Sequence, residues 1–232
     1  MDDFSNAVAL ALRLILSGDA ELYAIIRLSL TVSLAAALIA GVLGSVAGAA
    51  LAVFRFPGRR ALVLLANSLL GLPPVVVGLA AYILFSRAGP LGAWGLLFTP
   101  PAMVIVQTVL ATPIVTAIVH RAAEEMWALY GDGLQMAGAT RAEIIPELLK
   151  LARLPLLTAL LAGFGRTISE VGAIIIVGGN IAGFTRTMTT AIALQTSMGN
   201  LPFALALGLV LITISIALNG AAFAIADRRK RP

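Results

Sequence analysis

The sequence predicts an all-α polytopic membrane protein, and three observations carry that expectation. Of its 232 residues, 60% are hydrophobic and only 12% charged, against about a quarter charged in an average soluble domain. Mean hydropathy is +1.01. The apolar residues also fall in runs long enough for bilayer-crossing helices, separated by short charged segments.

Taken in order, residues 4–16 (FSNAVALALRLIL) are apolar but supply only about half of the ~20 residues a crossing needs, and Arg13 interrupts them. Residues 1–21 are therefore expected as an interfacial N-terminal segment and residues 22–232 as the membrane domain. Read instead as a sixth span, the segment would move the N-terminus to the other side. Acidic Asp2 and Asp3 stand where a signal peptide has its basic region, so the N-terminus is expected to be retained. No charge occurs between Arg27 and Arg55, enough for one tilted crossing. Within it, Gly44-Ser-Val-Ala-Gly48 is a small-xxx-small pattern that lets a neighbouring helix approach closely.

The next run, between Arg60 and Arg87, contains Gly71-Leu-Pro-Pro-Val-Val-Val-Gly78. Its paired prolines remove backbone donors and predict a bent helix facing a pathway. A third run from about 101 to 119 carries Gln107, Thr108, Thr112 and Pro113, polar groups that either bond between helices or meet a substrate. Beyond a polar stretch, a fourth span runs from about 154 to 178 with Arg166 and Glu170 inside it. A Thr-rich segment, 179–200, leads to the last span, 201–226, and the closing DRRKRP. Five crossings result, with no 20- to 50-residue repeat, no inverted duplication and no further domain expected after the last helix.

The net charge of +5 is a matter of topology rather than of nucleic-acid binding. With the N-terminus outside, inner segments carry Arg55, Arg59 and Arg60, then Arg121, Arg141, Lys150 and Arg153, then Arg228, Arg229, Lys230 and Arg231. Outer segments carry only Arg13, Arg87 and Arg186, so residues 132–155 and the C-terminus are expected in the cytoplasm.

Several chemistries are excluded. There is no Cys, and the single His120 has no evident partner, which removes thiol chemistry and a multi-histidine metal site. No Gly-x-x-x-x-Gly-Lys-Ser/Thr loop is present, so the chain is not expected to hydrolyse ATP, and it offers no catalytic, cofactor or metal residue. An anion channel or secondary transporter working without an ATPase remains the alternative; it would show internal repeats or a ring of intramembrane charge, and neither is visible.

The polar stretch 132–155, DGLQMAGATRAEIIPELLKLARLP, is the exception in a chain close to continuous hydrocarbon. Gly138 can end one helix in a left-handed conformation, and Thr140 with Glu143 forms a capping box that opens another. Ile144, Ile145, Leu148, Leu149 and Ala152 then make an apolar face, with Glu143, Glu147 and Lys150 opposite. A short helix lying across the inner membrane surface follows.

This segment is similar to the cytoplasmic signature loop of the permease subunits of binding-protein-dependent ABC importers, where an acidic residue, two small residues and a later glycine precede a coupling helix. Asp132-Gly133-Leu134 stands at the Glu-Ala-Ala place and Gly138 at the glycine, followed by Ala139-Thr140-Arg141. The Asp, the Gly-Leu and the more distant Leu154-Pro155 depart from the pattern. Gly163-Phe-Gly-Arg-Thr-Ile-Ser-Glu-Val-Gly-Ala173 and the segment from Val177 to Ala191 resemble molybdate and tungstate permeases. The run Thr185-Arg-Thr-Met-Thr-Thr-Ala-Ile, with Gln195-Thr-Ser-Met-Gly199, is most like the tungstate branch, and Leu72-Pro-Pro-Val-Val-Val-Gly78 belongs to the same group's second span. The resemblance extends from about residue 28 to the end.

It implies the fold of a type I ABC importer permease: five spans, an interfacial N-terminal helix and a cytoplasmic coupling helix. It implies as partners a second copy forming a pathway at the two-fold axis, two cytoplasmic ATP-binding subunits, and an extracytoplasmic binding protein that holds most of the specificity. Asp132, Gly138, Ala139, Thr140, Arg141 and Glu143 would couple to the ATPase. Arg166, Ser169, Glu170, Asn180, Thr185, Arg186, Thr187, Thr189 and Thr190 would belong to the translocation pathway, for tungstate first, molybdate second and sulfate a distant third.

Physical argument leaves two roles open for Arg166 and Glu170. Arg166 falls about 18 Å into its span, near mid-bilayer, with Glu170 one helical turn on. Together they form either an ion pair that locks packing or a charged site beside the pathway. The hydroxyls from Thr185 to Thr190 either bond a tetrahedral dianion or are solvated on an interfacial helix.

Overall fold

A computed structural model describes residues 2–228, so Arg229, Lys230 and Arg231 of the expected inner C-terminus lie outside the described residues. Among the described residues there are ten α-helices and no strand. They are α1 (Asp2–Leu16), α2 (Ala20–Val53), α3 (Arg59–Ser68), α4 (Pro74–Phe85), α5 (Pro100–Met136), α6 (Arg141–Leu151), α7 (Arg153–Ile168), α8 (Gly172–Gly178), α9 (Met188–Ser197) and α10 (Leu201–Arg228). Helices α2, α5 and α10 are each long and apolar enough to cross a membrane alone. The pairs α3–α4 and α7–α8 pass the same test as bent spans, which brings the number to five.

The first of these bends was legible in the paired prolines. A short 3-10 turn, Leu69–Gly71, ends α3, and Pro74 starts α4 at a position where a missing N–H costs nothing. The second was not. The fourth span, expected as one helix from about 154 to 178, is broken between Ile168 and Gly172. Glu170 lies in the break, where its carboxylate accepts the Ala173 N–H (3.2 Å) at the start of α8. A side chain bonded to its own local backbone competes with helix continuation. The third span also extends further than expected: α5 continues 17 residues beyond Val119, with Ala122 and Ala123 buried on one face and Glu124 exposed on the other.

The chain folds as two compact units. One comprises Ala36–Leu72 and Thr108–Thr167 with the end of α10. Its organising contact is the seam between α2 and α5, where the small-xxx-small pattern does what it predicts. A β-carbon on Gly44 would stand 2.7 Å from Val115 Cβ, and one on Gly48 would stand 2.7 Å from the Thr116 carbonyl and 2.8 Å from the His120 amide nitrogen. Only glycine lets the α5 backbone come this near. Pro113 interrupts the α5 hydrogen-bond ladder beside this seam, and the neighbouring Thr112 and Thr116 hydroxyls donate to Thr108 O (2.7 Å) and Thr112 O (2.8 Å).

His120, for which the sequence suggested no partner, has one: Nε2 lies 3.3 Å from Arg59 Nη2, which also pairs with Glu124 at 2.8 Å. Helix α3 has no buried residue and is tethered by this arginine and by the Arg121 to Asn67 bond (3.2 Å).

The other unit comprises residues up to Ala35, Pro73–Gln107 and Ile168–Ala221. Here α4 packs on α8, with Gly78 tight against Ala173, and Phe98 donates its N–H to Val177 O (2.8 Å). Helix α1, with 15 residues, is shorter than the ~20 of a crossing. It ends at Gly18 (φ 72°), after which Asp19 caps α2 through the Leu22 N–H (2.8 Å).

The seam makes a prediction. Gly48→Ala should cost about 1–3 kcal/mol through overpacking against backbone that cannot move aside. Gly165→Ala, a helical position where a β-carbon meets nothing within 4 Å, should be neutral or slightly stabilising. Thermal unfolding of the purified protein in detergent checks both; an equal response to the two would contradict the seam.

Candidate functional site

Two regions carry the residues singled out by the sequence. The first is built on α6. Gly138 adopts φ 87° and ends the α5 segment, as its position before a cap requires. Thr140 opens α6 with a complete capping box: its Oγ1 accepts the Glu143 N–H (3.4 Å), and the Glu143 carboxylate accepts the Thr140 N–H (2.8 Å) and hydroxyl (2.7 Å). The box holds two otherwise orphaned backbone donors.

The expected amphipathic register is also present. Ile144 and Leu148 are fully buried, packed with Val53 at the end of α2 and against Met126, Trp127, Leu134 and Ala139. Ile145 and Leu149 lean on Ala49, Ala52 and Ala123. Glu143, Glu147 and Lys150 stay exposed, the last two as an ion pair at 2.7 Å. Asp132 falls within the last turns of α5 and, like Gly138, Thr140 and Arg141, is exposed, while Ala139 is half-buried. Helix α6 thus offers an exposed polar face while its apolar face is seated on the ends of α2 and α5.

The second region is the break and loop from 169 to 190. Arg166, half-buried, sits in the last turn of α7; Glu170 is buried in the break and Ser169 beside it is exposed. A single helical turn does not connect Arg166 to Glu170, because α7 has already ended at Ile168. The threonines are not solvated. Thr185 is fully buried, donating to Gly178 O (2.5 Å) and accepting the Ile181 N–H (2.9 Å). Thr187 and Thr190 form the capping box of α9, and Thr189 donates to Glu170 O (2.7 Å). These hydroxyls hold the loop backbone in place of the ladder bonds that the break removes.

Arg186 pairs with Glu21 (3.2 Å) in the first turn of α2, while its Nε is buried without a partner. Asn180 takes φ 50° directly after Gly179 (φ 71°), and its Oδ1 is likewise buried without a partner. Two further positions went unnoticed in the sequence. Ser29 on α2 accepts the Met188 N–H (2.7 Å) and so anchors the start of α9, and Glu21 offsets Arg186. An acid in the first turn of an apolar helix, and an arginine in a threonine-rich loop in need of one, are signals that could have found the second.

The site therefore comprises a capped amphipathic helix seated on the ends of two long apolar helices and a broken span whose freed backbone is bonded by threonines. Residues 40–231 match the family described as "Binding-protein-dependent transport system inner membrane component". The chain belongs to this family of multi-pass inner-membrane components, permease subunits that are not themselves enzymes and that work with ATP-binding and substrate-binding partners.

Among its relatives, a "Tungstate uptake system permease protein TupB" of Peptoclostridium acidaminophilum is 36% identical over 227 residues, 98% of this chain and all of the other. A "Probable anion ABC transporter permease protein" of Haloferax volcanii is 38% identical over 212 residues, 89% of this chain and 91% of its own. The TupB of Campylobacter jejuni is 39% identical over 166 residues, 72% of this chain and 70% of its own.

Hydrogen bonds from Thr140, first from its hydroxyl and then from its backbone N–H, hold the Glu143 carboxyl below its ordinary pKa. A carboxylate whose pKa is lowered by folding contributes stability above its unfolded pKa and loses it as the pH falls through the folded value. Amide exchange in the first turn of α6, corrected for intrinsic rates, should therefore be constant from neutral to mildly acidic pH and quicken only below the usual carboxylate range. In Glu143→Gln that acid step should vanish.

A second expectation concerns Thr185. Thr185→Val should cost about 1–3 kcal/mol by orphaning a buried donor and acceptor, whereas Thr185→Ser should retain most of the stability, as read by thermal unfolding.

Proposed function

We propose that the chain forms the translocation pathway for an oxyanion, tungstate in preference to molybdate, as a homodimer driven by two ATP-binding subunits and fed by an extracytoplasmic binding protein. The observation that carries the coupling part is α6: its apolar face is buried on α2 and α5 while its capped end and polar face remain exposed. A rigid helix fixed in this way can pass a push from an ATPase groove into two spans. Asp132, Gly138, Ala139, Thr140, Arg141 and Glu143 make up that contact in the proposal, Thr140 and Glu143 by holding the cap and Arg141 by its exposed charge.

Charge asymmetry supports α6 and the C-terminus on the cytoplasmic side with the N-terminus outside. Residues 1–21 serve in this reading as an interfacial segment and 22–232 as the permease domain. Two relatives that carry tungstate in their names, one aligned end to end with this chain, support the cargo.

On the pathway side, Arg166 and Ser169 each face the passing anion in this reading, with Asn180 and Arg186 on the outer loop. Glu170, Thr185, Thr187, Thr189 and Thr190 contribute by holding the backbone, consistent with their burial and their hydrogen bonds. Arg186, already offset by Glu21, adds little net charge, which suits a route that must release its cargo.

The test is reconstitution with the ATPase and binding protein in proteoliposomes. Tungstate uptake should require ATP and the binding protein, and excess molybdate should compete less well than tungstate. Deleting residues 138–147 should abolish co-purification of the ATPase. Arg166→Ala should lower uptake by about tenfold, equivalent to ~1.4 kcal/mol. Uptake without ATP would overturn the proposal.

A further inference from the structure

Two adjoining concavities lie in the unit that holds α3 with residues 36–53 of α2 and 108–136 of α5, and none of the residues assigned above to coupling or to the pathway lines them. The larger, about 600 Å³, is almost wholly apolar, walled by Leu51, Phe54, Leu62, Leu65, Leu69 and Pro113. Small residues leave the space: Ala47 and Ala50 on α2 and Ala66 on α3 are among its walls. The smaller, about 390 Å³, is polar and lined by Arg55, Gly58, Arg59 and Arg60. Arg55 and Phe56 line both, so the two form one site with an apolar barrel and a cationic mouth.

The arginines are not equivalent. Arg59 is held by the Leu51 carbonyl (2.5 Å), His120 (3.3 Å) and Glu124 (2.8 Å), and so is a fixed wall. Arg55 and Arg60 are exposed, and among the described residues their side chains make no hydrogen bond or ion pair. Two uncommitted guanidiniums, each able to fork onto an oxyanion, therefore flank the end of an apolar cleft whose size falls within the ordinary range for ligand pockets.

From this geometry we infer a binding site for an anionic glycerophospholipid, one acyl chain in the α2–α3–α5 cleft and the phosphate between Arg55 and Arg60. Charge complementarity chooses the occupant: bare hydrocarbon would leave the arginines unanswered, and a zwitterionic lipid would bring, with its phosphate, a headgroup cation that cancels the phosphate's charge beside two guanidiniums. By the same charge count that orients the chain, the headgroup lies at the inner surface, where clustered basic residues meet acidic lipids. Because α3 has no buried residue of its own, the lipid would also supply the packing that fixes α3 against α2 and α5.

The test uses the purified permease in nanodiscs, separate from any transport assay. Wild type in phosphatidylcholine containing phosphatidylglycerol should unfold at a higher temperature than in phosphatidylcholine alone. In native mass spectra it should retain the anionic lipid over the zwitterionic one by about tenfold at equal mole fraction. Arg55→Ala with Arg60→Ala should remove that preference yet leave the phosphatidylcholine unfolding temperature unchanged. Ala50→Phe, which fills the cleft, should lower retention of both lipids.

Inorganic phosphate should not substitute for the lipid; equal stabilisation by phosphate would overturn the acyl-chain half of the site. Equal retention of the two lipids by wild type would overturn the whole. The chain has no cysteine, so Leu65→Cys provides a clean probe. A disulfide between two copies at that position would mean that a second copy occupies the cleft, and this too would overturn the inference.

Discussion

The close approach of α2 and α5 at Gly44 and Gly48 is the contact on which the unit that carries α6 stands. In a bilayer there is little hydrophobic gain from placing one apolar helix against another, so association depends on how near the backbones can come. The two glycines let α5 lie with its Thr116 carbonyl and His120 amide where any β-carbon would collide. Beyond the seam, α2 ends at Val53 while α5 carries on to Met136, and α6 turns back to seat Ile144 and Leu148 on that platform. The glycine seam gives α6 a foundation of closely packed backbone.

The segment from 169 to 190 solves a different problem. Where a span is broken inside the membrane, freed backbone groups have no water to turn to. Between 169 and 190 the chain meets this with side chains: Glu170 takes the Ala173 N–H, Thr185 serves Gly178 and Ile181, Thr189 bonds Glu170 O, and Thr187 with Thr190 caps α9. The threonine run that resembled an anion ligand set is thus first a structural device. Residues held this firmly give a loop of fixed shape.

The basic residues that follow α2 illustrate how one charge rule can conceal several roles. In sequence Arg55, Arg59 and Arg60 are interchangeable counts toward orientation. In space Arg59 ties α3 to the α2 end and to α5 through Leu51, His120 and Glu124, while Arg55 and Arg60 flank an apolar cleft. Only the fold separates them, since all three share one short segment and one residue type.

What could be read from the chain alone was whatever depends on composition, periodicity and short-range backbone chemistry. Apolar run lengths predicted an all-α membrane protein, Gly44 and Gly48 a close helix contact, the paired prolines a bent span, and Gly138 with Thr140 and Glu143 a stop followed by a capped helix. Each is set by interactions spanning four or so residues, or by the solvent itself. What the sequence did not disclose was chiefly long-range: the Arg59–His120–Glu124 cluster, the Arg186–Glu21 pair and the burial of Thr185 to Thr190. These depend on which distant side chain arrives beside a polar group, and in a low-dielectric surrounding that arrival decides whether the group is a ligand, a strut or a cap.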